Sequence, residues 1–258
     1  MIEMQLLTVE LLSILFFIAI CAGLLDTLAG GGGLISLPTL LMAGVPPLAA
    51  LGTNKLQGSM GTAMATYLLL KNKKLIWKDI SHLMLFSFLG AILGTIAIQF
   101  MSTEFLSFVI PVVLLFIGTY FLILPSPKPL AKEIKQSNKL YQHLILPIIG
   151  FYDGMFGPGT GSFFTLTTMA YRGYNIIKST ATAKALNFST NIASLIIFIF
   201  SEQLVWEIGV IMMFGQMLGA WIGTTFLFKI NPIYLRILVV FVCFAMLTRY
   251  AFSEGWIA

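Results

Sequence analysis

Two lysines interrupt apolar stretches of the sequence, and each follows a threonine at the same spacing. The first pair is Thr53 and Lys55, and the second is Thr182 and Lys184. A cation within a membrane-spanning segment costs about 2.5–3.5 kcal/mol on insertion scales, so it usually faces a charged partner or a water-filled path. We therefore predict that both lysines hold an anionic substrate. The structural alternative is that each lysine reaches the membrane surface from the start of a helix.

A glycine-rich stretch precedes each of these lysines. Residues 30–33 read GGGG, and residues 157–161 read GPGTG. Glycine allows tight turns and lets a ligand approach the backbone, and the N–H groups at a helix start favour anions. The predicted backbone contacts to the anion are Gly31, Gly32, Gly33, Gly159, Thr160 and Gly161. The next helices are predicted to begin at Thr53 and Thr182 and to offer two further N-termini.

Two acids and three amides complete the candidate site. Asp26 and Asp153 stand just before the glycine-rich stretches. We predict that they couple or gate anion movement by taking up a proton or a cation. The alternative is that each acid pairs with a lysine of either half and only fixes the loop. Asn54, Asn187 and Asn191 add neutral hydrogen-bonding groups, which are at least as often contacts between helices as contacts to a substrate.

The amino-acid composition predicts whether these residues lie in a soluble or a membrane protein. The chain has 258 residues, of which 58% are hydrophobic and only 10% are charged. This is too little polar surface for a soluble globule of this size, so the sequence predicts an all-α polytopic membrane protein with the lipid bilayer as its surroundings. Candidate spans lie at residues 6–25, 56–70, 80–100, 105–124, 140–156, 180–200, 208–228 and 233–252. The segments at 56–70 and 140–156 are short and need neighbouring residues to cross the membrane.

The chain contains an internal repeat. Gly23 and Asp26 align with Gly150 and Asp153, and the same register then continues, after a two-residue insertion, through both Thr-x-Lys motifs and beyond. We predict a first membrane repeat at residues 1–124, a cytoplasmic connector at 125–139 and a second membrane repeat at 140–258. Gly90, Gly94, Gly219 and Gly223 form GxxxG pairs on equivalent helices and are predicted to be packing faces.

Loop charges predict that the two repeats are inverted. The loop at residues 71–78 carries four lysines, whereas its equivalent at 201–207 carries only Glu202 and Glu207. Because cationic loops stay in the cytoplasm, equivalent loops face opposite sides of the membrane. Each repeat then needs an odd number of crossings. We predict four long helices per repeat plus one short half helix, at residues 34–43 and 162–171, after each glycine-rich loop.

Other kinds of chemistry have little support in the sequence. There is no HExxH or CxxC motif, His82 and His143 are isolated, and the GGGG run lacks the GK[ST] ending of a phosphate-binding loop. We therefore expect no catalytic residues, no metal and no cofactor. The net charge of +5 lies in loops where membrane topology favours cations, and it predicts no nucleic-acid partner.

Two sequence runs resemble the TauE/SafE family of membrane permeases, often called sulfite exporters. They are DTLAGGGGLISLPTLL followed by GVPPLAALGTNK, and the weaker echo DGMFGPGTGSFFTLTTM followed by TATAK. The resemblance covers nearly the whole chain. It implies a carrier for sulfite, an organosulfonate or a related sulfur-containing anion, without a bound cofactor, in the bacterial cytoplasmic membrane. The second run has Ala183 where the first has Asn54, so a role for asparagine does not extend to both halves.

The residues and the resemblance together predict a secondary transporter that moves a small sulfur-containing anion by alternating access. A passive anion channel is an alternative of the same class. An intramembrane enzyme or a structural membrane partner belongs to a different class, and each is less compatible with duplicated lysines and acids in apolar segments.

Overall fold

The computed structural model describes residues 8–123 and 139–227, together with residues 237, 240, 241, 243–245, 247, 248, 251 and 252. In the first range the helices are α1 (Val9–Ala29), α2 (Gly33–Met42), α3 (Pro47–Lys71), α4 (Trp77–Gln99) and α5 (Thr103–Ile123). In the second range a π-helical turn (Tyr141–Ile145) leads into α6 (Leu146–Met155), followed by α7 (Thr160–Arg172), α8 (Ile176–Phe200) and α9 (Trp206–Phe226). The predicted connector and most of the predicted span at 233–252 lie outside the described residues.

Five of the described helices are long and apolar enough to cross a membrane. They are α1, α4, α8, α9 and the Thr103–Tyr120 part of α5. The all-helical character of the described residues confirms the predicted fold class at this level. Helix α3 has 25 residues, which is ample length. It is less apolar than the other long helices because its buried face carries threonine, serine, glutamine and lysine side chains.

Polarity is distributed as expected for a protein surrounded by lipid. Large apolar side chains point away from the bundle, and Phe17, Phe116 and Trp221 are all more than half exposed. Buried polar side chains instead concentrate on α3 and α8, which pack against each other. Exposed apolar patches of this kind mark contact with a membrane or a partner. Because α3 and α8 carry most of the buried polar side chains described, the polar interior lies between these two helices, which also carry Lys55 and Lys184.

The two short helices match the predicted half helices. Helix α2 coincides with the segment predicted at 34–43, and α7 contains the segment predicted at 162–171. Leu34, Leu37 and Leu40 are fully buried, so α2 lies within the apolar core rather than against lipid. Helix α2 has only 10 residues and rises about 15 Å, roughly half the thickness of the hydrocarbon layer.

Helices α3 and α8 begin earlier than predicted. Helix α3 starts at Pro47, and α8 starts after the cap residue Asn175, whose side chain accepts a hydrogen bond from Lys178 N. Proline is favoured at the first helical position, and asparagine is favoured as an N-cap. Thr53 and Thr182 therefore lie inside their helices. The prediction that they mark two anion-binding N-termini was wrong, because their N–H groups belong to continuous helix.

Glycines bring α4 against α6 and α1 against α9. A Cβ atom at Gly90 would overlap the backbone carbonyl of Pro147, and one at Gly219 would overlap the carbonyl of Ile20. The aligned register makes these two contacts equivalent, with each joining the first half to the second. The prediction that the GxxxG pairs are packing faces is confirmed.

Candidate functional site

The two glycine-rich loops meet each other inside the bundle. Gly30 ends α1 with φ of 73°, in the left-handed region. A Cβ atom there would lie 2.6 Å from the carbonyl carbon of Gly161, so only glycine allows the loops to approach this closely. Ser162 Oγ donates a hydrogen bond of 2.5 Å to the carbonyl of Ala29. The start of α7 is thereby fixed against the end of α1.

Lys184 of α8 pairs with the acid of the other half. Its Nζ lies 3.1 Å from Asp26 Oδ2 and also donates to the backbone carbonyl of Asp26. The second carboxylate oxygen, Asp26 Oδ1, accepts from the backbone N–H of Gly32 at 3.4 Å. Both carboxylate oxygens of Asp26 therefore have donors. Gly161 adjoins the ammonium, since a Cβ atom there would lie 3.3 Å from Lys184 Nζ.

Lys55 of α3 makes the reciprocal pair with Asp153 of α6. Its Nζ lies 3.0 Å from Asp153 Oδ1 and 2.5 Å from the backbone carbonyl of Asp153. A third contact of 3.3 Å reaches Asn191 Oδ1. The side chains of Lys55 and Asp153 are each only 1% exposed. The alternative of lysines extending to the membrane surface is thus wrong for both residues, because each lysine is buried against the aspartate of the opposite half.

A small polar cavity lies beside the two pairs. Its volume is about 30 Å³, which is room for one or two water molecules. The lining residues are Asp26, Gly33, Asn54, Lys55, Gly58, Asp153, Gly157, Asn187, Asn191 and Gln216. They come from both halves of the chain. The cavity therefore brings together both predicted acids, one predicted lysine and all three predicted asparagines.

Amide side chains connect the cavity to the helices around it. Asn54 Oδ1 accepts from Ser36 Oγ of α2 at 2.6 Å and from Gln57 Nε2 at 2.8 Å. Asn191 Nδ2 lies 3.3 Å from Asn187 Oδ1. These contacts hold α2 against α3 and orient the acceptor that Lys55 uses. The asparagines thus make hydrogen bonds to other side chains in this conformation, and all three also line the cavity.

The starts of the short helices keep backbone N–H groups that have no backbone acceptor. In α2 the first-turn N–H groups of Leu34 and Ile35 donate to the carbonyls of Gly31 and Gly32. Among the described residues no acceptor is found for the N–H groups of Gly31 and Gly33, and the same holds for Gly159 and Gly161 at the start of α7. Unpaired N–H groups at a helix start suit an anion. Each of the two predicted N-termini therefore retains donors for an anion.

Several predicted site residues do not line the cavity. Lys184 and Gly32 contact the cavity-lining Asp26, and Gly161 adjoins Lys184. Thr53 Oγ1 accepts from the backbone N–H of Val205, and Thr182 Oγ1 donates to the carbonyl of Lys178. The last three predicted residues outside the cavity lining form the turns of the glycine-rich loops, and they are Gly31, Gly159 and Thr160. For the two helix-interior threonines the hydrogen bonds found are structural.

Three cavity residues lie outside the predicted site set. Gly58 of α3 faces Asn191, since a Cβ atom there would lie 3.3 Å from Asn191 Nδ2. Gln216 of α9 is 4% exposed, and its Oε1 has no hydrogen-bond donor among the described residues. A glutamine inside an apolar span is a signal of an interior polar site. Gly157 belongs to the second glycine-rich stretch, and Gly58 gives no comparable signal without knowledge of which helix faces meet.

Comparison with protein families gives one match over most of the chain. The family model described as "Sulfite exporter TauE/SafE" matches residues 15–250. This range includes both glycine-rich loops and both lysine–aspartate pairs.

Curated relatives match along nearly their whole length. A "Probable membrane transporter protein" of Haemophilus influenzae is 39% identical over 248 residues, which cover 96% of this chain and 97% of the relative. The "Probable membrane transporter protein ORF9" of a Sinorhizobium species is 37% identical, covering 95% and 94%. The "Probable membrane transporter protein YfcA" of Escherichia coli K12 is 34% identical, covering 95% and 91%. No solved structure matches the chain.

Proposed function

Because the chain belongs to the TauE/SafE sulfite exporter family, we propose that it is a secondary transporter for a small sulfur-containing anion such as sulfite or an organosulfonate. The relatives named as probable membrane transporters support the class of function. The observation that carries the proposal is the reciprocal pairing of Lys55 with Asp153 and of Lys184 with Asp26 beside a polar cavity. We place the protein in the bacterial cytoplasmic membrane and assign it no catalysis.

The two membrane repeats, at 1–124 and 140–258, are inverted around this cavity in our proposal. Equivalent residues make equivalent contacts across the halves, in both the charged pairs and the glycine contacts. The aligned residues Lys73 and Glu202 share the same unusual φ of 55° in the turns after α3 and α8. Such repeats with a midplane site between them are typical of secondary transporters.

The inversion predicts opposite accessibility of two equivalent turns. With Cys21 and Cys243 replaced by serine, a cysteine at Asn72 should react with an impermeant maleimide only from the cytoplasmic side. A cysteine at Glu202 should react only from the opposite side. Labelling of both positions from one common side would refute the inverted arrangement.

Lys55 and Lys184 hold the anion in this proposal, with Gly33 N–H and Gly161 N–H as additional donors. Ammonium groups and backbone N–H groups match the acceptor oxygens of a sulfite or sulfonate headgroup. In the conformation described here both ammonium groups are engaged by carboxylates. The anion must therefore replace a carboxylate as partner, or that carboxylate must lose its charge.

Movement of the bundle is also required. A cavity of about 30 Å³ is water-sized and does not admit a sulfonate headgroup. Binding thus needs an expanded state in which the glycine-rich loops, α2 and α7 separate from their present contacts. Access to that site from alternating sides of the membrane is the mechanism we propose.

Counterflow in liposomes tests the proposed function. Purified protein is reconstituted into vesicles loaded with sulfite, and the uptake of external radiolabelled sulfite is followed. Saturable counterflow is expected, with inhibition by methanesulfonate or taurine but not by acetate. Uptake that shows no counterflow and no saturation would indicate a passive channel instead. The double variant Lys55→Ala with Lys184→Ala should abolish uptake, and undiminished uptake would remove the lysines from the anion site.

A further inference from the structure

One carboxylate oxygen at the site lacks a hydrogen-bond donor. Asp153 Oδ1 contacts Lys55, but the buried Asp153 Oδ2 has no donor among the described residues. Asp153 also lines the small cavity. A buried acceptor without a donor costs about 1–3 kcal/mol, and more when it is charged. This oxygen is therefore an atom at which the carboxyl group can take up a proton without displacing a donor of the described residues.

The equivalent acid of the first half has no such oxygen. Asp26 Oδ2 contacts Lys184 and Asp26 Oδ1 accepts from Gly32 N–H. The residue equivalent to Gly32 is Gly159, and among the described residues its N–H makes no hydrogen bond to Asp153 Oδ2. The two halves therefore share their ion pairs but differ in the second carboxylate oxygen.

The net charge of the buried site connects the unpaired oxygen of Asp153 with anion binding. Two lysines and two aspartates make the buried site neutral as it stands. A monovalent anion entering alone would leave one uncompensated negative charge, which is costly in a dry interior. A proton on the carboxylate of Asp153 would cancel that charge. It would also free the ammonium of Lys55 to face the anion.

We propose, on the basis of the transport function above, that Asp153 Oδ2 takes up one proton with each monovalent anion while Asp26 remains the charged partner of Lys184. The proton comes from solvent, an O–H bond forms at Asp153 Oδ2, and Lys55 keeps all three of its protons. Proton and anion then cross together without net charge. Each favours the binding of the other, as reciprocity between linked sites requires.

Among the described residues, the other titratable groups around Asp153 have no carboxylate oxygen that lacks a hydrogen-bond donor. Lys55 faces it from α3, while Asp26 of α1 lines the same cavity and is paired with Lys184 of α8. Tyr152, its neighbour on α6, donates to the carbonyl of Pro158 at 2.6 Å. Helix α4 contacts α6 through uncharged residues of the glycine-rich face, and α7 contacts α6 through an aromatic ring pair.

Binding of methanesulfonate across a range of pH tests the assignment, since the charge of this probe does not change. Calorimetry on purified wild-type protein should show affinity falling about tenfold per pH unit wherever free Asp153 is ionised. Asp153→Asn should bind with an affinity that no longer depends on pH. The matched variant Asp26→Asn should retain the pH dependence, whatever its affinity. A wild-type slope in Asp153→Asn, or its loss in Asp26→Asn, would overturn the proposal.

Proton uptake by the wild-type protein provides a test that needs no variant. Methanesulfonate is added to protein in weakly buffered solution containing a pH indicator, and about one proton should be taken up per anion bound. Anion binding without proton uptake would overturn the proton assignment and leave the transport proposal standing. Failure of both methanesulfonate and sulfite to bind the wild-type protein would contradict the proposed function itself.

Discussion

Replacing Lys55 by methionine should destabilise the protein strongly, and the structure indicates by how much. Lys55 Nζ contacts the carbonyl and Oδ1 of Asp153 and Oδ1 of Asn191. Methionine has a similar unbranched length but leaves these acceptors without the ammonium. It also leaves the carboxylate of Asp153 buried at 1% exposure with no lysine partner. Breaking a buried pair from one side costs about 3–5 kcal/mol.

A second substitution should restore most of that loss. In Lys55→Met with Asp153→Asn both charges are gone, and neutral replacements of buried ion pairs are often close to neutral for stability. We expect the double variant to fall within about 1–2 kcal/mol of wild type, since the asparagine still has polar groups to satisfy. Lys71→Met is the matched control, because Lys71 lies on the same helix but is exposed. It should have little effect.

Thermal unfolding in detergent, followed by circular dichroism, measures these differences. A change of 1 kcal/mol moves Tm by roughly 2–4 °C in a chain of this size class, so the single variant should melt roughly 6–20 °C below wild type. The double variant should melt within a few degrees of it. A single variant that melts with wild type, or a double variant no better than the single one, would refute the view that this pair is buried and mutually dependent.

Two further predictions use pairs of glycines as matched controls. Gly30 and Gly44 both have φ above 70°, and alanine should cost about 1–2 kcal/mol at each from the left-handed backbone. Only Gly30→Ala should lose more stability and abolish transport, because its Cβ would enter the backbone of α7 while that of Gly44 meets open space. Gly94→Ala should lower Tm because its Cβ would overlap a carbonyl of α6. Gly118→Ala makes only ordinary contacts and should gain about 0.5–1 kcal/mol. Equal melting temperatures within either pair would contradict the close approaches.

Local signals in the sequence were sufficient to locate the short helices. The glycine runs end one helix and begin another, and the interval before the next glycine limits the length of α2. The helix starts predicted at Thr53 and Thr182 were wrong, since both residues lie within continuous helices. Proline at Pro47 and the N-cap at Asn175 carry the actual start signals. Both signals are local and were present in the sequence.

The pairing of the charges could be anticipated only in part. Two lysines and two acids at equivalent positions indicate a shared site, but the sequence does not specify which lysine meets which acid. The choice depends on helix packing, since the contact between α3 and α6 joins residues 98 positions apart. The unpaired oxygen of Asp153 depends on the same packing, since Gly32 N–H reaches Asp26 but the equivalent Gly159 N–H does not reach Asp153. Gly58 can be identified as a cavity residue only from the packing of α3 against α8, whereas Gln216 carries a signal in the sequence as a glutamine inside an apolar span.

Sulfite binding by charge-neutral variants tests the central claim most directly. Because Lys55→Met with Asp153→Asn is expected to remain folded, its loss of binding reports on the anion site rather than on stability. A charged hydrogen bond contributes about 1.5–3 kcal/mol, so equilibrium binding of radiolabelled sulfite should weaken roughly ten- to hundredfold in that variant. Lys184→Met with Asp26→Asn should weaken it similarly, while Lys71→Met binds as wild type. Wild-type affinity in either neutral variant would contradict the claim that the paired lysines hold the anion.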